Sequence, residues 1–549
     1  MLSALGCTEV PQPSDTGSSL PVDAVFAADV APLTLPPSLA RAAPRCAAED
    51  EAPLRTGDEI DGFRCTQVGA SRSEGAPRWP AAEGLATPVV YVDPAAEPSG
   101  DGSPERPLRT LAEALARAPE ARSVALSRGV HPLADTVTLS RSLALAGAGA
   151  RATVLEAARD RAALSVSRGA SVSLAGIAMR YGAGDVTDRD LALAAEGATL
   201  TLDDVSITGA SIAIDLTETA LDARRLSLTT SARQGLLARG ASRVTLRDFL
   251  VRGGAGQGIR VEAGHVDLAR GLVAANARHG VVLLGATDAT GGRARCADPA
   301  SAGALDCIDQ VVSQGNGVAA LYVADARTLE VRRATLADTR LEPIDTGTSG
   351  DGLSMGARAR VSLDPEFISV AVRGFGTAVM GNARVGILAQ GEGAELSVRG
   401  AFIARNESGG VFLSAQAAAP IVGESLFVEN AFAGIVAAPG SLPGIVQCNG
   451  IVDTRVGTVR TSAATVQLAD GVHLNSPNAP ITLRDNEISR SAAFGLLLNA
   501  GRASLLNNRG FDNRYGVGRY GGAVTVGELA TIAGREAAPL VAPGLATTL

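Results

Sequence analysis

Short runs of alternating residues fill most of this chain. Ser171-Val172-Ser173-Leu174, Thr199-Leu200-Thr201-Leu202 and Arg243-Val244-Thr245-Leu246 each set a polar residue beside an apolar one with a period of two. That period predicts β-strands with an apolar face turned inward and a polar face turned outward. Small or polar turn residues separate the runs, and a glycine followed by an aliphatic residue returns at nearly constant spacing. Gly235-Leu236, Gly258-Ile259 and Gly280-Val281 follow at intervals of 23 and 22. Gly386-Ile387, Gly410-Val411 and Gly434-Ile435 lie 24 and 24 apart, and Gly471-Val472, Gly495-Leu496 and Gly516-Val517 lie 24 and 21 apart. Such a period predicts a solenoid, because one turn of chain cannot bury its own apolar face and must stack on the next. Residues 136–525 carry the pattern. They allow about 17 turns at most, a rod of roughly 65–80 Å at about 4.8 Å per turn.

Departures from the period are informative. Asn276, Asn406 and Asn430 each stand four residues before the glycine. Asparagine tolerates a left-handed backbone and bonds its neighbours, which suits a corner between sheets and a ladder along the rod. The intervals from Gly280 to Gly317 and from Gly434 to Gly471 stretch to 37 each. Their excess, and the segment 342–351, predict loops projecting from the coil, where specificity would reside.

Ahead of the repeat, Val89-Val90-Tyr91-Val92 predicts a strand, followed by a polar turn region from Asp93-Pro94 to Arg106-Pro107. Thr110 and Glu113 then have capping-box spacing, and Leu111, Ala114, Leu115 and Ala118 share one helical face, so a short amphipathic helix starts at Thr110. Strands follow at 123–126, 137–139 and 143–145, the last leading into Gly147-Ala148-Gly149. This order (YVDP, a Gly/Asp-rich turn, PLRTLAEAL, a strand, Arg128-Gly129-Val130-His131, LALAGAGA) resembles the N-terminal region of bacterial right-handed parallel β-helix proteins of the pectin-lyase-like superfold. The motif runs from Tyr91 to Ala150 and its flanks. The resemblance implies an all-β chain, a right-handed parallel β-helix solenoid with an N-terminal capping helix. A cap is physically required, since a bare end would expose core side chains and strand edges.

The chain divides accordingly into a remnant of a lipoprotein signal (1–7), a Pro/Ser/Ala/Thr-rich flexible tether (8–45) and a small Cys-bounded segment of no evident function (46–88). The N-terminal cap (89–135), the β-helix (136–525) and a C-terminal cap or tail (526–549) follow. Met1-Leu2-Ser3-Ala4-Leu5-Gly6-Cys7 resembles the end of a lipoprotein signal, with a shorter apolar part and Ala4 where leucine is preferred. It implies lipidation at Cys7 and an extracytoplasmic protein, either an outer-membrane lipoprotein or a secreted one, in a bacterium. Cys46 and Cys65 are 19 apart and Cys296 and Cys307 are 11 apart, spacings at which each pair closes a local disulfide in an oxidising compartment. Cys448 is left as a buried apolar side chain.

Composition narrows the chemistry. Aromatic residues are only 3% of the chain, so the core is Ala, Val, Leu and Ile. All 49 basic residues are arginine, which removes lysine-based Schiff-base chemistry. A net charge of −8 without a basic block argues against nucleic acid. No apolar run is long enough for a spanning helix, so a membrane contact would come through the lipid alone.

The superfold hosts polysaccharide lyases and glycoside hydrolases as well as non-catalytic proteins, so the residues must decide. Polygalacturonase-like hydrolases carry Asn-Thr-Asp-Gly, an Asp pair, Gly-His-Gly and Arg-Ile-Lys. Here Gly350-Asp351-Gly352 and Ala469-Asp470-Gly471 match only the Asp-Gly part, Asp203-Asp204 stands elsewhere, and Gly264-His265-Val266 lacks the second glycine. Asp351 and Asp470 are several turns apart in the chain, roughly 15–24 Å along the rod. That is too far for paired carboxylates, which need about 5–9.5 Å. Glu342, Asp345 and Asp351 form the best acidic cluster, with oxygen ligands that could hold Ca²⁺; no other cofactor is expected. His473, with Asp470 before it and Asn475 two residues after, is the one histidine constellation suited to acid/base work. The leading expectation is a monomeric, non-enzymatic cell-envelope or secreted protein that binds surface polysaccharide or a protein partner. The alternative is a polysaccharide lyase or glycoside hydrolase using Asp345, Asp351, Asp470 and His473.

Overall fold

The computed structural model describes residues 46–48, 51–55, 63–71, 77–285, 296, 306–341, 349–364, 376–414, 416–460, 465–475, 479–520, 523–526 and 531–536. Nearly all of them belong to one coil of parallel strands, three strands per turn, each pairing with its counterpart one turn on. The turn that begins with the strand Arg243–Arg252 shows how the sequence makes it. Val244 and Leu246 enter the core while Arg243, Thr245 and Arg247 face out. Asp248, at φ 54°, bends the chain, and Phe249 and Val251 re-enter the core. Gly253, at φ 68°, bends it again, and the strand Gln257–Glu262 sends Ile259 and Val261 inward. The three strand columns are sheets 1, 2 and 3 in that order. Among the described residues sheet 1 starts at Val89–Val92 and reaches Ala523–Val526. The molecule is a right-handed parallel β-helix, the hand that twisted strands favour in parallel crossovers.

A short helix, Leu111–Arg117, closes the first turn. Thr110 Oγ1 accepts from the Glu113 N–H at 3.1 Å, as its spacing predicts, and the Glu113 carboxylate accepts from the Arg109 N–H at 3.1 Å. Leu111 and Ala114 are buried, and Leu115 and Ala118 pack on the same core.

The asparagines form ladders. Asn276 Nδ2 donates to Asn316 Oδ1 at 3.0 Å, and Asn382, Asn406 and Asn430 continue the pattern at 2.9 Å per step. The main-chain N–H of Asn382 donates to the same oxygen of Asn406, so each carboxamide satisfies two donors of the preceding turn. A second ladder, Asn449, Asn486 and Asn508, follows the corner between sheets 1 and 2.

The Cys-bounded segment is a β-hairpin laid on the side of the coil. Glu51–Arg55 pairs antiparallel with Phe63–Gln67, and a disulfide ties Cys46, ahead of the first strand, to Cys65 in the middle of the second. Ala52, Leu54 and Val68 bury themselves against Leu250, Leu272 and Val312 on the outer face of sheet 2. The Cys296–Cys307 disulfide is also formed. Cys448 is buried as expected, but it is disulfide-bonded. These disulfides fit an oxidising, extracytoplasmic compartment. Among the described residues no helix is long and apolar enough to cross a membrane.

The outer faces differ in exposure. On sheet 3 Leu388, Val436 and Leu497 are buried although they point away from the core cluster, and on sheet 2 Phe402 and Leu426 are too. Sheet 1 is the open side, where Thr201, Asp222, Arg224 and Arg243 face solvent.

Candidate functional site

Sheet 3 carries three of the expected site residues. Asp351 opens the strand Asp351–Met355, and Asp470 and His473 lie in Thr465–Asn475. Register partners Leu353, Ile387, Val411, Ile435 and Val472 follow one another along the sheet. Asp351 stands two residues before Leu353 and Asp470 two before Val472, so they hold the same position four strands apart. At about 4.8 Å per strand that is about 19 Å, and no bond could lie between both carboxylates. Asp345 and Glu342 lie outside the described residues.

Asp351 is engaged on both oxygens. Arg384 donates Nε to Oδ1 at 2.7 Å and Nη2 to Oδ2, and the Val385 N–H adds a third contact at 3.3 Å. Burial pushes the carboxyl above its usual range, against the pull of Arg384. A forked guanidinium occupies the lone pairs that a cation would need. The Asp351 environment therefore suits an ion pair better than the Ca²⁺ ligand role expected of it.

Asp470 and His473 form a fully buried Asp–His pair. Asp470 Oδ2 lies 2.8 Å from His473 Nδ1, and Oδ1 accepts from the Phe494 N–H at 3.1 Å; both side chains are fully buried. A carboxylate at Nδ1 draws the proton to that nitrogen and leaves a lone pair on Nε2. His473 Nε2 has no partner, and neither does Asn475 Nδ2, two residues along the same strand. Asn475 Oδ1 accepts from Asn499 at 3.2 Å. Phe494, Tyr515 at 4.9 Å between ring centroids and Tyr520 at 6.1 Å form an aromatic group at this end of the sheet. Burial, Tyr515 and Asp470 together push the Tyr520 hydroxyl up. The register neighbours of His473 are Val436 and Leu497, both buried, so the imidazole stands inside a covered apolar wall.

The spacing of His473 and Asn475 placed them on one face, and the structure agrees. It could not show Arg384, which lies more than a full turn of the coil beyond Asp351, or the aromatic group, which two further turns of chain assemble. Among the described residues the one cluster with metal-like spacing is Cys46, Glu51 and Cys65, and two of its three ligands are disulfide sulfurs.

No protein-family model matches the chain, and no curated protein matches it. Solved structures with a similar course include the catalytic domain of a GH87 alpha-1,3-glucanase in complex with tetrasaccharides. It is 12% identical, with a TM-score of 0.35, over 83% of this chain and 68% of that one. Pectate lyase Pel9A is 10% identical, TM-score 0.29, over 64% of this chain and 78% of that one. A bacteriophage tailspike protein is 12% identical, TM-score 0.31, over 80% and 59%. Likeness at this level carries no argument about a site or a substrate.

Proposed function

We propose that the protein is an exported, non-catalytic β-helix that binds an extended polysaccharide along its side. The observation that supports this reading is the contrast between its acids and its open face. Asp351 and Asp470 are buried, engaged by their own partners and four strands apart. The outer face of sheet 1 instead repeats Ser173, Thr201, Asp222 and Thr245 as register partners, one per turn. A strand of sugars laid along the rod would meet similar hydroxyl and carboxylate groups at every turn. The test is a panel of neutral and uronic polysaccharides, with and without Ca²⁺. The expected result is retention of a polymer without new reducing ends or unsaturated products; cleavage would reject the reading.

One observation favours a second reading, a lyase or hydrolase. Asp470 orients His473 and leaves Nε2 without a partner, a general base for a hydroxyl once the buried wall over it opens. If the panel reveals turnover, His473→Gln is expected to lower kcat by about 100-fold or more at an unchanged fold; a smaller loss would place the chemistry elsewhere.

Lipid anchorage at Cys7 has its own test. A diacylglyceryl thioether and a disulfide exclude each other at one sulfur, and Cys448 is disulfide-bonded. In a non-reducing peptide map of the protein from its native host, a lipidated Cys7 peptide would support an anchor. A peptide joining Cys7 to Cys448 would remove it.

A further inference from the structure

A trough of about 580 Å³ runs between the disulfide-stapled hairpin and the coil. Its volume lies within the range of about 300–1,000 Å³ typical of small-ligand sites. The floor is the outer face of sheet 2, where Ser206 and Ser227 are register partners on adjacent strands and Thr229 stands beside them. One wall is Ala70 and Ser71, at the end of the hairpin, and the other is Ala150 and Arg151. Arg252 closes the far end, where a second groove of about 350 Å³ begins and reaches Arg340.

The walls are held by fixed bonds. The Gly69 N–H donates to the Asp248 carbonyl at 2.7 Å, and the Ala70 N–H donates to Ser227 Oγ at 2.8 Å. The Ser71 N–H donates to Asp204 Oδ1 at 2.6 Å, while the Ala150 N–H reaches Oδ2 at 3.3 Å. Asp204 thus ties both walls together and spends its acceptors on main-chain donors. Ser227 keeps its O–H to donate, because its oxygen is the acceptor toward Ala70. Arg151 is exposed and forms no ion pair among the described residues.

We propose that this trough binds an acidic glycan strand, with Arg151 and Arg252 taking its carboxylates and the hydroxyls of Ser206 and Ser227 taking its hydroxyl groups. The proposal rests on the polysaccharide-binding reading above, but seats an acidic strand in this trough on sheet 2 and not on the open face of sheet 1. Guanidinium forks suit carboxylates, while serine hydroxyls both donate to and accept from sugar hydroxyls. Ser206 and Ser227 repeat at the strand spacing of about 4.8 Å, close to the advance of a pyranose along an extended chain. An acidic strand parallel to the rod therefore meets one serine per sugar and an arginine toward each end.

The test is titration of the full chain with oligogalacturonate, a sulfated glycan oligomer and a neutral cello-oligosaccharide of the same length, at low salt and at about 0.15 M salt. The expected order is oligogalacturonate at least tenfold tighter than the neutral oligomer, with the difference shrinking as salt rises. Tighter binding of the sulfated oligomer would overturn the carboxylate assignment. Arg151→Ala and Ser206→Leu, an exposed charge and a partly exposed floor residue, are each expected to weaken oligogalacturonate about tenfold. Arg117→Ala, on the exposed side of the capping helix, is expected to leave it unchanged. Equal affinity for acidic and neutral oligomers would overturn the proposal. So would loss of binding in Arg224→Ala with retention in Arg151→Ala, which would keep polysaccharide binding but move it to sheet 1. Failure of the unmodified chain to bind any oligomer or polymer would remove the functional reading itself.

Discussion

Asp470→Ala is expected to destabilise the C-terminal turns by about 3–5 kcal/mol, the range for breaking a buried hydrogen-bonded pair from one side. The carboxylate accepts from His473 Nδ1 and from the Phe494 N–H in a site with no solvent access. Alanine leaves both donors without a partner, each at a cost of about 1–3 kcal/mol. His473 would then be unsatisfied at both ring nitrogens, since Nε2 already lacks a partner. Asp470→Asn keeps an acceptor in place and is expected to lose less than half as much. Asp351→Ala is a useful contrast. Its partner Arg384 retains 20% side-chain exposure and can turn to water, so the loss there is expected to be smaller. In a solenoid each turn touches only its neighbours, so the damage is local and a single unfolding transition is a poor readout. Hydrogen exchange resolved by peptide is the measurement. Faster exchange across 432–437 and 494–499, with unchanged exchange across 171–208, is the expected pattern. Unchanged protection around Asp470 would mean that the pair does not hold these turns together.

The same locality explains which parts of the molecule the sequence disclosed. A β-helix is written in a short period, so strands, corners and the capping helix could be read from neighbouring residues. Thr110 and Glu113 marked the helix start within one helical turn, and Asn406 and Asn430 marked a ladder one coil turn apart. The hairpin at 51–67 was not legible as a partner of sheet 2, because its docking depends on Leu250, Leu272 and Val312, which arrive many turns later in the chain. Their apolar character on an outward position was a signal: a solvent-facing strand face would carry polar residues there, as Ser206 and Ser227 do on the two preceding strands. Distance along the rod was legible as well, and it separated Asp351 from Asp470. What the sequence could not supply is burial. Whether Asp470 and His473 face a cleft or a sealed wall depends on what covers sheet 3, and local spacing carries no information on that. Arg327 makes the same point. Nothing in its surroundings in the sequence marks it, yet its side chain is fully buried, 2.6 Å from Asp306.

Acid is expected to weaken the middle of the rod through His279. Its imidazole packs against Tyr322, 5.6 Å between centroids, with Nδ1 buried and unpartnered. Burial, and then the positive charges of Arg278 and Arg260, hold its pKa down at about 4, below the ordinary value near 6.5. Above pH 6.5 neither the folded nor the unfolded chain binds a proton at this residue, and its full contribution is present. Between pH 6.5 and about 4 the unfolded chain is protonated and the folded one is not, so stability falls as pH falls. Each pH unit in that window costs about 1.4 kcal/mol, or about 3 kcal/mol across the whole of it. His131, whose pKa burial also lowers, adds a loss of the same sign near the N-terminal cap. The readout is therefore the difference between the unmodified chain and His279→Leu. Hydrogen exchange across 281–284 and 319–323, measured from pH 7 to pH 4 after correction for the intrinsic exchange rate, should show protection lost in the unmodified chain and retained in the variant. Parallel losses in both would show that His279 gains its proton as readily folded as unfolded, and that the packing against Tyr322 does not exclude it.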